Sequence, residues 1–174
     1  MKRLILIATC AWLIASAPAL AQYNAPAAAR AAGRPTTPDS AFAAAAAQSA
    51  FSGAAIARLA ETRAASADVK RLAREMVAIS ERMASDVAPM LKAQGVAAPG
   101  EMDQRQKSAF DWLQKLEGEA FDRAFVSSMR ATRASEVMVF QRASDKAHDS
   151  ELRAWAGRML PALKTQQEGF NNVK

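Results

Sequence analysis

The sequence predicts an all-α fold, a four-helix bundle with one additional short helix. Apolar residues recur at three-to-four spacing from Phe42 to Phe170, and no strand-like alternation interrupts them. Helix-capping residues stand at the points where the periodic stretches begin, and glycines stand near where several of them end.

The first helix is expected over residues 38–65. Thr37 can cap it, and Pro38 suits the first helical position, where its missing N–H costs nothing. Its inward stripe reads Phe42, Ala46, Ser49, Gly53, Ile56, Ala60, and its wealth of alanine favours helix and lets a neighbour approach closely. Ser66 caps the second helix, with the stripe Val69, Leu72, Ala73, Met76, Ser80, Met83, Val87, Met90, Leu91. Gly95 ends it in the manner of a left-handed cap, and a loop with Pro99 and Gly100 follows. A short helix over 104–116 is expected to bury Phe110, Trp112 or Leu113, and Leu116. After the break at Gly118, a helix over 119–146 carries Phe121, Phe125, Met129, Arg133, Val137 and Phe140. Asp149 caps the last helix, whose stripe is Leu152, Trp155, Ala156, Met159, Leu163, Gln166, Phe170. Pro161 is expected to kink it, because proline removes a backbone donor and crowds the preceding turn.

Ahead of the bundle lies a pattern for export. Met1-Lys2-Arg3 is a basic start, residues 4–14 are mostly apolar, and Ala19-Leu20-Ala21 is a small-x-small cleavage site. The division expected is a signal peptide over 1–21, a flexible Ala/Pro-rich linker over 22–38 and the bundle over 39–172. Lipidation at Cys10 is the disfavoured alternative, since Thr9 precedes the cysteine after a very short apolar stretch. A membrane-spanning helix needs about 20 unbroken apolar residues, so cleavage after Ala21 and a periplasmic or secreted product, with no transmembrane segment, are expected. Cys10 is the sole cysteine, so the exported chain has no disulfide. The formal net charge of +6 falls with the loss of Lys2 and Arg3, and the remaining basic residues are interspersed with acids. That is a solvated surface, and no nucleic-acid partner is expected.

Bundles that do chemistry commonly hold metals with inward Glu and His side chains, and this chain has one histidine, His148, next to a helix start. A lone His there reads as a cap or loop residue, since zinc takes three or four protein ligands. Ser127, Ser128 and Ser135 have no histidine to activate them and no glycine elbow. Glu117 with Glu119, and Asp145 with Asp149, fall at helix ends, where capping explains them. The isolated glycines form no phosphate loop. No catalytic residue, metal ligand or cofactor is therefore assigned, and a non-enzyme is expected. What stands out is that each long helix has at least one residue without an apolar side chain in its core register: Gly53, Ser80, Arg133 and Gln166. Two readings stay open. These positions lie at stripe edges, where Arg133 snorkels to water. Or they share a polar core layer in which Arg133 fills the room beside Gly53 and Ser80 and pairs with Glu136, one turn on.

The segment Gly118-Glu119-Ala120-Phe121-Asp122-Arg123-Ala124-Phe125 resembles the Gly-x-x-Phe-Asp-Arg-x-Tyr/Phe motif of a bacterial family known as domain of unknown function 4142. Residues 42–60, Val69-Lys70-Arg71-Leu72-Ala73 with Met76-Val77, and the Leu160-Pro161 step are similar to it as well, so the likeness extends over residues 41–170. The resemblance implies an exported, ferritin-like bundle. It also implies that Gly53, Ser80, Arg133 and Gln166 occupy positions where members usually carry one glutamate and three histidines. No ligand carries over, so this chain reads as a divergent member. The function expected is a non-catalytic periplasmic module that binds an unknown protein or envelope partner or serves stress physiology. The alternative is a ferritin-like metal or redox protein using other ligands, such as Glu75, Glu81, Glu136 and His148.

Overall fold

A computed structural model describes residues 33–173 of the chain. The expected signal peptide and cleavage site, Cys10 and most of the predicted linker lie outside the described residues.

Five helices follow one another: α1 (Pro38–Arg63), α2 (Ala67–Ala93), α3 (Gln104–Leu113), α4 (Gly118–Lys146) and α5 (Ser150–Asn172). Each predicted cap is in place. Thr37 and Ser40 form a reciprocal capping box at α1, Ser66 accepts from the Val69 N–H, and Asp149 from Glu151 and Leu152; Asp103, which the sequence reading left in the loop, caps α3 by accepting from Gln106. The short helix stops at Leu113 rather than 116, tightening into shorter-range bonds through Lys115 and Leu116. A proline that the sequence reading passed over, Pro89, sits inside α2. Both Pro89 and Pro161 are exposed, so the carbonyls that lose their partners can turn to solvent.

The alanine face of α1 brings it closest to α2, and α4 pairs closely with α5. The ends of the helices fix their directions. Ala64, just past α1, bridges Gly118 at the start of α4, while the Asp149 N–H beyond α4 donates to Asp39 in the first turn of α1. Thus α1 and α4 are antiparallel, and the 94–117 connection must travel the length of the bundle, carrying α3 with it. Two antiparallel hairpins joined by one long crossover is the ferritin-like arrangement.

The motif around Gly118 now has a physical explanation. Gly118 has φ +59, Asp122 accepts from the backbone N–H groups of Ala65 and Ser66 at 3.2 and 2.8 Å, and Phe121 stacks on Phe125 at 5.6 Å. It staples the start of α4 to the α1–α2 turn. At the neighbouring helix end, Arg130 donates to the carbonyls of Phe170 and Val173, closing the last turn of α5. By length and composition α1 could cross a membrane; in the fold, 56% of its apolar window is buried against its neighbours. Between Trp112 and Leu113, which the sequence left open, the structure chooses one. Leu113 takes the inward place on α3 and Trp112 is 51% exposed, because a helix this short buries only one edge.

Candidate functional site

The core falls into two separate clusters. One gathers Ala50, Met83, Phe140, Trp155 and Leu163; the other gathers Ile56, Met76, Met129, Phe125 and Phe170. Gly53, Ser80, Arg133 and Gln166 each lie, on their own helix, between the two. All four are buried, with Arg133 only 2% exposed. The edge reading therefore fails for them.

Arg133 is held as the polar-layer reading requires. Its guanidinium pairs with the Glu136 carboxylate one turn along α4, and both side chains are largely withdrawn from solvent, 3% and 11% exposed. A Cβ placed on Gly53 would sit 3.1 Å from Ser80 Oγ and 4.0 Å from Arg133 Nη2. The absence of a side chain at 53 relieves Ser80 first, with the arginine head at ordinary contact distance beyond it. The other carboxylate oxygen of Glu136 accepts from Ser49 on α1. The pair thus ties α4 to α1 and leaves neither charge isolated, which a buried ion pair requires. Ser49 was not singled out as a site residue. Its signal was present, since it stands in the α1 stripe one turn before Gly53, but a small hydroxyl among alanines carries little weight alone.

Two buried groups of the layer have no protein partner: Arg133 Nε, and both amide atoms of Gln166. Gln166 shares the level of the layer without a hydrogen bond to it.

From outside, a pocket of about 480 Å³ between α1 and α4 reaches this layer. Gly53, Met76 and Met129 are among its lining residues, with Arg133 and Glu136; Asp103, Arg105 and Gln106 of α3 lie over it. The amide of Gln106 is oriented by its neighbours: its oxygen accepts from the Asp103 N–H at 3.1 Å and from Gln48 at 2.6 Å. A larger cleft of about 700 Å³ lies near the start of α4, lined by Ser66, Glu119, Asp122, Arg123, Arg130 and Val173. Its best-placed polar groups already serve the fold, Asp122 on the turn and Arg130 on the α5 carbonyls, while Arg123 lies exposed beside Glu119. The smaller pocket is the better candidate because it reaches a buried charged group with donor capacity left.

The alternative ligand set is not brought together. Glu75 pairs with Arg71 and Glu81 with Arg58, both at exposed positions; Glu136 is in the layer, and His148 is exposed between α4 and α5. Among the described residues, no three His, Cys, Asp or Glu side chains converge as a metal would need.

The fold and its central layer define an all-α, ferritin-like bundle with a self-paired polar core. The chain belongs to the family described as domain of unknown function (DUF4142), whose model matches residues 24–173. No curated protein and no solved structure gives a significant match to it.

Proposed function

We propose that this chain is an exported, non-catalytic bundle that works by binding, as a module of the periplasm or cell envelope. The supporting observation is the Arg133–Glu136–Ser49 assembly at the base of the α1–α4 pocket. The Arg133 guanidinium keeps one N–H, at Nε, that no protein acceptor takes, and that supports a role in binding. It cannot act as a base, since guanidinium stays protonated. The serines near it, Ser128 and Ser135, have no histidine beside them. Export is supported by the residue pattern of 1–21, and a core role for α1 by the burial of its apolar face.

The rival reading, a metal or redox protein, is tested by metal analysis of the protein purified without chelator. Iron, zinc or copper bound tightly at one or more equivalents would overturn the binding-module reading; substoichiometric metal that dialysis removes is the expected result.

A further inference from the structure

We propose that the pocket between α1 and α4 is a binding site for a compact oxyanion, a carboxylate or phosphate group, received by Arg133, Gln106 and Arg105. This rests on the binding-module reading and names the ligand chemistry for it.

The argument is an inventory of donors and acceptors around the cavity. The strong acceptors at its base are in use, because Glu136 receives Arg133 on one oxygen and Ser49 on the other. At the rim, one oxygen of Asp103 caps α3 by accepting the Gln106 N–H at 2.8 Å. The Gln106 amide oxygen is taken twice over. The donors are what remain. Arg133 Nε is buried with no protein partner. Two donors fix the oxygen end of the Gln106 amide, and its Nε2 makes no hydrogen bond among the described residues. Arg105 is exposed at the mouth and makes no ion pair among the described residues. The hydroxyl of Ser135 stands at the same opening. Asp103 and Glu136 balance Arg105 and Arg133 in charge, and the N–H donors left without a protein partner favour a ligand that brings lone pairs and no protons of its own. A planar carboxylate or a phosphate meets a guanidinium Nε–H well, and such charge-assisted bonds are about twice as strong as neutral ones. The volume, about 480 Å³, falls within the range of small-molecule sites, roughly 300–1,000 Å³. The pocket floor of Met76 and Met129 suits a short carbon body behind the charged group.

The cover is suited to admitting such a ligand. α3 buries one side chain fully, Leu113, and its tie to α1 at this point is the Gln48–Gln106 bond. A ligand that bonds Gln106 and Arg105 would link α3 to α4 through itself.

Inorganic phosphate and succinate, each titrated into the purified protein at constant ionic strength, test this by calorimetry and by NMR of the Arg133 Nε–H and the Gln106 side-chain amide. Saturable binding of either anion is expected, with shifts centred on those two groups. Saturation by phosphate alone assigns the site to phosphorylated ligands, and by succinate alone to carboxylates. Arg105→Ala removes an exposed side chain, leaves the fold intact and should weaken binding about tenfold. Gln106→Ala should do likewise. Arg133→Met should abolish binding, provided that circular dichroism shows it folded. Absence of a saturable response to both anions overturns the proposal, as does binding that Arg105→Ala and Gln106→Ala leave unchanged. Neither result bears on the metal analysis, so failure of the oxyanion site and failure of the non-metal reading are separable.

Discussion

At the scale of single residues, the most consequential choice is an arginine inside a helical core. Arg133 is tolerated because Glu136 supplies the counter-charge and small residues, Gly53 and Ser80, stand beside it. Removing one partner leaves the other buried and unpaired. Arg133→Ala is therefore expected to cost about 3–5 kcal/mol in a denaturant melt, and a cost within about 0.5 kcal/mol, typical of surface changes, would show that the pair is solvated. Replacing both partners should behave differently. The double variant Arg133→Met/Glu136→Leu is expected to be neutral or more stable by about 1–4 kcal/mol, so a double-mutant cycle separates the cost of the orphaned charge from the worth of the pair. Gln166 offers an independent check. It is 1% exposed with both amide atoms lacking a protein partner, and Gln166→Leu is expected to raise stability by about 1–2 kcal/mol by removing an unsatisfied polar group. A loss of stability would mean that the amide is satisfied in solution.

Elements differ in how firmly they are attached, and in how plainly the sequence announced them. The long helices were legible because their caps are local: Thr37, Ser66 and Asp149 each bond to N–H groups within three residues. What ties one element to another was less legible. Asp122 reaches the α1–α2 turn across 56 residues, and Gln48 reaches Gln106 across 58, with no periodic pattern to mark either. The layer positions could be found by register, because one side chain out of character in each stripe is visible. Ser49 could not be told from its alanine neighbours, nor Trp112 from Leu113 on so short a helix. Asp122→Ala should cost about 1 kcal/mol by freeing two N–H groups at the α2 start, as loss of a cap does; an unchanged thermal melt would count against the staple. α3 is the weakest attachment. Its amides are expected to exchange with solvent faster than those of α1 and α2 in native-state hydrogen exchange, through local opening, and equal protection would show α3 to be part of the main cooperative unit.

Across the whole molecule, two apolar clusters are strung along the same four long helices with one polar level between them. The aromatic rings follow that division, Phe42, Phe140 and Trp155 in one half and Phe121, Phe125 and Phe170 in the other. Because every long helix passes through both halves, unfolding is expected to be a single transition, coincident by far-ultraviolet dichroism and by tryptophan fluorescence. Two separated midpoints would show the clusters melting independently. The bond from Ser49 to Glu136 has a consequence for alignment. A helix faced almost entirely with alanine is nearly smooth, and a neighbour could slide along it by a turn at little cost in packing. Arg133 and Glu136 make one placement different from the rest: only there does Ser49 of α1 meet the Glu136 carboxylate. The pair acts as a key cut to one notch, setting which turn of α4 faces which turn of α1, as single buried polar groups do in coiled coils. The double apolar variant should then fold well but populate more than one alignment, visible as doubled or broadened resonances for the alanines of α1; a single sharp set would show that the apolar clusters alone hold the register.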